Sequence, residues 1–168
     1  MVREYKASDL EAVIALFGRS VREIAARDYS SAQISAWAPQ VPDWPGWSKR
    51  LSEGATFVCQ RKGQIAGFAR VEDNGYLDLL YVHPEFQRQG IARSLLEGVL
   101  AWAKSHGISR LTSDVSVTAR PFFEQIGFLV VEPHVVELRG VSFHNFRMKR
   151  TVDAEPRVPA DRPQAVGR

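Results

Sequence analysis

The 168-residue sequence predicts one α/β domain, a mixed and largely antiparallel sheet flanked by helices. Three observations lead there. Apolar residues recur at helical spacing at Leu10, Val13, Ile14, Phe17, Val21 and Ile24, and again at Ile91, Leu95, Leu96, Val99, Leu100 and Ala103. Between these helices, β-branched and aromatic runs are separated by Lys62-Gly63 and Asn74-Gly75, which predicts antiparallel hairpins. The run 76–82 then feeds the later helix, which delivers the chain into a further strand at 111–115. Two strands joined through a helix run parallel.

The elements follow in order. Residues 2–6 suit a first strand. Ser8, with Glu11 three residues on, forms a capping box for the first helix. Ser30 or Ser31 starts a second helix that passes Ile34 and Trp37 and stops near Pro39. Pro42, Pro45 and Gly46 mark a connection, and a short helix follows over 47–52. Strands at 56–60 and 65–71 pair as a hairpin, and Asn74-Gly75 turns the chain into 76–82. A long helix spans 89–105, with Gly107 as its stop. After the strand at 111–115, a short helix over 118–125 ends at Gly127. Strands at 129–138 and 142–149 turn at Arg139-Gly140. Beyond Thr151 three prolines and several charges accompany few large apolar residues. Residues 1–150 are therefore expected to fold, and 151–168 to form a mobile tail.

Composition narrows the function. A net charge of +3 suits an anionic ligand and is too small to point to nucleic acid. Cys59 is the single cysteine, which excludes an internal disulfide and suits a reducing cytoplasm. No metal-ligand spacing emerges from one cysteine and four scattered histidines. No apolar run approaches the ~20 residues that span a bilayer, and the amino terminus lacks a signal-peptide core.

The chemistry concentrates where the strand 76–82 meets the long helix. Gly90 and Ala92 leave the backbone open to a ligand. A helix start carries amide N–H groups without intrahelical partners, and its dipole favours an anion. Arg88 and Arg93 add charge; Gln87, Gln89 and Ser94 add neutral donors. This is a phosphate or pyrophosphate cradle. An ordinary strand–loop–helix turn with solvated arginines is the alternative. Neither G-x-x-x-x-G-K-[ST] nor G-x-G-x-x-G is present after a strand.

What stands here is Gln87-x-x-Gly90-x-Ala92 after Leu80-Tyr81-Val82. It resembles [QR]-x-x-G-x-[GA], the acyl-coenzyme A signature of the GNAT superfamily of N-acyltransferases. A second block, Ser116-x-x-Ala119 followed by Phe122-Phe123-Glu124-x-x-Gly127-Phe128, resembles the same family in the expected order. The resemblance implies a GNAT-like domain in which two central parallel strands splay apart around the thioester. It implies acetyl-coenzyme A (acetyl-CoA) as donor and a primary amine as acceptor, attacked directly in a ternary complex. On that resemblance the pantetheine arm pairs with the backbone of Leu80, Tyr81 and Val82. The pyrophosphate meets the amides of Arg88, Gln89, Gly90, Ile91, Ala92, Arg93 and Ser94. The Leu80 N–H receives the oxyanion, and Phe122 and Phe123 wall the arm.

The proton-transfer groups depart from the family pattern. Many members carry Glu near Tyr76 and Tyr where this chain has Phe123. Strict strand alternation puts Tyr76, Asp78 and Leu80 on one face and Leu77, Leu79 and Tyr81 on the other. Asp78 is then the first candidate base, orienting a water or holding the ammonium, with a strand Asp paired to a neighbouring Arg as the alternative. Tyr76 is a water-mediated relay or a packed aromatic. His83 reads as a solvated turn residue. Tyr81 and Ser116 are the polar groups left to protonate the departing thiolate, or the thiolate leaves unaided. Tyr29, Trp37, Trp44 and Trp47 can receive an alkyl or aromatic amine, or else pack the helices. A small-molecule and a peptide acceptor both remain open, as do monomer and homodimer. A non-catalytic acyl-CoA-binding module and a protein binding phosphate-rich partners are the alternatives from other classes.

Overall fold

The computed structural model describes residues 1–153. Strands β1 (Val2–Glu4), β2 (Ala55–Arg61), β3 (Gln64–Val71) and β4 (Leu77–Val82) form an antiparallel sheet in that order. Strands β5 (Arg110–Val115), β6 (Leu129–Leu138) and β7 (Val141–Thr151) form a second antiparallel sheet with β7 in the middle. The expected mixed, largely antiparallel arrangement is present, divided into two sheets. They join at the parallel bridge Tyr76–Thr112, where the Thr112 N–H donates to the Gly75 carbonyl at 3.1 Å. Past that bridge the parallel pair β4 and β5 splays apart, and the Ser113 hydroxyl donates to the Leu77 carbonyl at 2.8 Å across the opening.

Five α-helices flank the sheets among the described residues: α1 (Leu10–Arg19), α2 (Ser31–Trp37), α3 (Trp44–Ser52), α4 (Ile91–Ser105) and α5 (Arg120–Gln125). Two cores result. Ile91, Leu95, Leu96, Val99 and Ala103 of α4 pack with Ala69, Val71, Leu77, Leu111 and Phe128. Val13, Leu16, Phe17 and Val21 pack with Val58, Phe68 and Leu79 on the opposite face of the first sheet. Each fully buried Leu, Ile, Val or Phe among these contributes about 1.5–3 kcal/mol. Close seating of α4 needs Gly67, where a Cβ would lie 2.6 Å from Ile91 Cγ2 and 3.0 Å from Leu95 Cδ1. That contact holds the start of α4 against β3.

Several local expectations are corrected. Ser8 does not cap the first helix. A 3₁₀ turn, Ala7–Asp9, precedes α1, and the buried Asp9 carboxylate accepts from the Lys6 N–H at 2.8 Å and from Arg3. Carboxylate capping combined with an ion pair outcompetes the Ser8 hydroxyl. The first helical stripe does not stay α-helical: Ser20–Ile24 is a π turn and Ala25–Arg27 a 3₁₀ turn. Ser30 does cap α2, accepting from the Gln33 N–H at 3.2 Å in a capping box. Asp43 caps α3, which begins at Trp44 rather than Trp47. The expected tail begins too early. Thr151 ends β7, Val152 is buried, and its N–H donates to the Ser109 carbonyl at 2.9 Å. Tail residues 154–168 lie outside the described residues. No helix among those described is long and apolar enough to cross a membrane.

Candidate active site

The site begins with a fault in β4. The register pairs Arg70 with Leu79 and Val71 with Leu77, leaving Asp78 as an extra, bulged residue. Strict alternation therefore fails. Leu77 and Leu80 pack towards the α4 core, Leu79 and Tyr81 towards the α1 core. The expectation that Leu77 shares a face with Leu79 and Tyr81 is overturned by this one inserted residue.

The bulge leaves the upper half of β4 in a defined hydrogen-bond phase. The His83 N–H donates to the Ala66 carbonyl at 2.8 Å, and the register runs Val82–Gly67, Tyr81–Phe68, Leu80–Ala69. Antiparallel pairs alternate between hydrogen-bonded and non-hydrogen-bonded. His83, Tyr81 and Leu79 thus bond to β3, while Leu80 and Val82 turn their N–H and C=O groups away from it, into the splay. A backbone ribbon with unused donors and acceptors faces the gap.

The ribbon leads to the helix start. His83, Pro84 and Phe86 make a 3₁₀ turn, with the His83 Nδ1 accepting from the Glu85 N–H at 3.1 Å and Phe86 buried beneath. His83 is not a solvated turn residue: Arg19 Nη1 lies 3.2 Å from its Nε2. The loop then takes two left-handed residues, Arg88 (φ 59°) and Gly90 (φ 77°). Gly90 is the N-cap of α4 and provides no side-chain cap. The Ser94 N–H is the first satisfied within the helix, by the Gly90 carbonyl at 3.0 Å. The amides of Ile91, Ala92 and Arg93 remain available. A Cβ on Gly90 would meet no protein atom within 4 Å. The space above these amides is open, and the donor set fits a diphosphate.

Gap and cradle belong to one cavity of about 630 Å³. Leu80, Tyr81, Val82, Gln87, Arg88, Gly90, Ile91, Ala92 and Arg93 line it from the β4 side. Ser116, Ala119, Phe122 and Phe123 line it from the β5–α5 side. Ser116 Oγ accepts from the Ala119 N–H at 3.1 Å, and the Ser116 hydroxyl also hydrogen-bonds the Tyr29 hydroxyl. Gln89 and Ser94 do not line this cavity. Gln89 reaches back to the Glu85 carbonyl at 3.4 Å, and Ser94 borders a shallow depression beside Val2 and Phe57.

Two carboxylates face the cavity among the described residues, and their surroundings differ. Asp78 accepts from Arg50 Nε and Nη2, both at 2.7 Å, and from Arg70 Nη1 at 2.6 Å. Burial pushes its carboxyl up, but the Arg50 and Arg70 hydrogen bonds and charges outweigh this and hold it below the usual carboxylate range. A carboxylate so held is a poor base. Of the two readings of Asp78, the ion pair is the one the geometry favours. Asp114, on β5, accepts from the Tyr76 hydroxyl at 2.8 Å and from Arg147 Nε at 3.3 Å. Tyr76 itself does not line the cavity. Burial, and then its hydrogen bond to Asp114, push the Tyr76 hydroxyl well above its ordinary value, so it stays protonated and holds Asp114 in place. The sequence reading missed Asp114. The available signal was a carboxylate on β5, the strand joined to β4 through α4, on the face opposite to buried Ser113 and Val115.

The far end of the cavity is aromatic and apolar. Trp37, Tyr81 and Phe143 line it, joined by Val136, Leu138 and Asn145 from the β6–β7 hairpin. Trp37 Nε1 donates to the Tyr81 hydroxyl at 3.3 Å, and burial pushes that hydroxyl up to about 12. Ser20, Val21, Ile24 and Ala25, from the π and 3₁₀ turns, complete this end. Tyr29 lies behind the wall, its hydroxyl accepting from the Val117 N–H at 2.9 Å and its ring 5.2 Å from Trp37. Trp44 is exposed on the first turn of α3, and Trp47 packs on Phe17 at 4.7 Å; neither lines the cavity. Of the acceptor residues expected from sequence, Trp37 alone does.

A splayed strand pair, with a free backbone edge leading into an open helix start, defines an acyltransferase. Comparison with known proteins agrees. The Acetyltransferase (GNAT) domain family model matches residues 25–150, so the chain belongs to the GNAT superfamily of N-acetyltransferases. It is 41% identical over 149 residues to an uncharacterised N-acetyltransferase, YafP, of Escherichia coli, covering 88% of this chain and 93% of that one. It is 32% identical over 114 residues to an aminoglycoside N(6')-acetyltransferase of Stenotrophomonas maltophilia, covering 54% of this chain and 74% of that one. A crystallised GCN5-related N-acetyltransferase from Rhodopseudomonas palustris superposes with a TM-score of 0.87 at 29% identity, covering 90% of this chain and 94% of that one. Other solved chains of this fold hold coenzyme A or acetyl-CoA.

Proposed function

We propose that the protein transfers the acetyl group of acetyl-CoA to a primary amine by direct attack within a ternary complex. The carrying observation is the continuity of one backbone surface. The free edge of Leu80 and Val82 runs into the unpartnered amides of Ile91, Ala92 and Arg93. An edge of this kind suits an amide-bearing pantetheine arm, paired as an added strand, and the amides suit its diphosphate. Acetyl-CoA would supply the acetyl group as a thioester beside Leu80. The Leu80 N–H would then donate to the oxygen that gains negative charge.

The chain's own groups divide the proton work. Asp114 receives the incoming ammonium and positions it. The amine must shed a proton before it attacks, and Asp114, held by Tyr76 and Arg147, is the cavity carboxylate free to hold it through that step. Tyr81 takes the place of the tyrosine that Phe123 replaces. Its hydroxyl accepts from Trp37 and keeps its own proton. At about 12 it acts by hydrogen-bonding the departing sulfur, not by giving up the proton outright. Asp78 has a structural part: with Arg50 and Arg70 it fixes the bulge that sets the phase of Leu80.

Titration calorimetry with acetyl-CoA, paired with a thiol-release assay on an amine panel, tests this reading. Expected are micromolar binding and amine-dependent release. Binding without release for any amine would leave a carrier rather than an enzyme.

A further inference from the structure

The acceptor end of the cavity carries one step more, and that step rests on the acetyltransferase reading. We propose that the acceptor is a compact primary monoamine with an aromatic or branched apolar body, rather than a polycation or a protein terminus.

The first support is the wall. Trp37, Tyr81, Phe143, Val136 and Leu138 present apolar surface to the end of the cavity where an acceptor must sit. The Trp37 and Phe143 rings stand 6.1 Å apart at 81°, and Trp37 and Tyr81 6.5 Å apart at 68°. Rings packed edge-to-face at these distances touch one another and present one continuous apolar wall against which a ring or a branched alkyl group can lie.

The second support is the charge. An acceptor with several ammonium groups needs several available carboxylates, because an unpaired buried cation is costly. Asp78 is occupied by three guanidinium contacts from Arg50 and Arg70. Asp114 has one short contact, from Tyr76, and one long one, from Arg147 at 3.3 Å, so it can still accept an ammonium. Among the described residues the cavity therefore offers one anionic partner, with Asn145 as a neutral one. A second ammonium would face apolar lining such as Trp37 or Leu138, with no further carboxylate among the described lining residues.

The third support is the roof. Arg139, at the hairpin tip, donates to the Ala36 carbonyl at 2.6 Å, and Gln33 donates to the Ser142 carbonyl at 3.1 Å. Both bonds pin the β6–β7 hairpin to α2. The hairpin strands that carry Val136, Leu138, Phe143 and Asn145 are thereby held against the helix that carries Trp37, so the acceptor wall is one fixed surface.

The experiment measures thiol release at saturating acetyl-CoA with 2-phenylethylamine, spermidine, kanamycin and an alanyl tripeptide. The expected kcat/KM for 2-phenylethylamine exceeds each of the others at least tenfold. Trp37→Ala should raise its KM about tenfold while the Kd for acetyl-CoA stays within twofold. Val136→Glu, on the hairpin, adds a second carboxylate; it should move the spermidine to 2-phenylethylamine ratio about tenfold towards spermidine and reports even if Trp37→Ala does not fold. Equal or better use of kanamycin, spermidine or the tripeptide by the wild type overturns the proposal. So does a protein that binds acetyl-CoA yet does not turn over 2-phenylethylamine. A wild type that fails to bind acetyl-CoA overturns the acetyltransferase reading itself, and this proposal with it.

Discussion

The two ends of the cavity are built from different material. The donor end is backbone: the edge of β4, a loop with Gly90 at φ 77°, and the first turn of α4, all within residues 80–93. The acceptor end is side chains: Trp37 from α2, Phe143 and Asn145 from β7, Val136 and Leu138 from β6, Asp114 from β5. Backbone donors do not change with sequence, so the first end can bind the same anion whatever surrounds it. The second end is assembled from elements more than a hundred residues apart, from Trp37 to Asn145, and its side chains can vary without disturbing the donor site.

That contrast can be broken at either end. The largest effect is expected at Gly90. Gly90→Glu places a carboxylate where a diphosphate would lie and strains a left-handed position. Affinity for acetyl-CoA should fall on the order of a thousandfold, about 4 kcal/mol, while circular dichroism shows a folded domain. Retained affinity in calorimetry would break the assignment of the donor end to backbone.

Asp78→Asn should come next, and mainly in stability. It removes the closer of two carboxylates from the buried Arg70, which keeps Glu72 at 3.3 Å, and it frees Arg50, which is 44% exposed, so the cost is about 2–3 kcal/mol. The pH dependence has a definite sign. The Asp78 carboxyl is depressed in the folded state, so its stabilisation is present above the unfolded value near ~4 and is lost as pH falls through the folded value. Wild-type stability in urea should therefore decline more steeply than that of Asp78→Asn below about pH 4. The pH profile of turnover should be the same in both; a flattened profile in the variant would return Asp78 to the proton path.

Two smaller effects sharpen the acceptor end. Asp114→Asn should lower kcat/KM for the amine about twentyfold, with acetyl-CoA affinity unchanged in the same calorimetric assay. Tyr81→Phe should lower kcat about fivefold and leave the KM for acetyl-CoA alone, since a hydrogen bond to a departing thiolate, not a full proton transfer, is removed. An equal loss in both parameters for Tyr81→Phe would indicate misplacement of Trp37 rather than loss of a donor.

The same contrast explains what the sequence disclosed. Gln87, Gly90 and Ala92 lie in one short stretch after an apolar run, so the cradle could be read residue by residue. The strand and helix order was legible because turn pairs such as Lys62-Gly63 and Asn74-Gly75 punctuate clear periodicities. The bulge at Asp78 was not legible, because an extra residue in a strand carries no composition of its own and appears only once β3 fixes the register. Hidden with it were the partners Arg50 and Arg70, which turn a candidate base into an ion pair. Asp114 escaped notice because its meaning depends on Tyr76, thirty-eight positions away, crossing the opening to hold it. Ser8 misled for a local reason: Asp9, one residue on, was the better acceptor for the Lys6 amide.

The π turn at Ser20–Ile24 has a consequence for how such an enzyme can change. An over-wide turn holds one residue more than a regular helix would, and here it lines the cavity through Ser20, Val21 and Ile24. Deleting a single residue from it should restore regular winding and toughen the scaffold while moving Val21 and Ile24 relative to the guest molecule. One codon would thus couple the winding of this turn to the shape of the cavity wall.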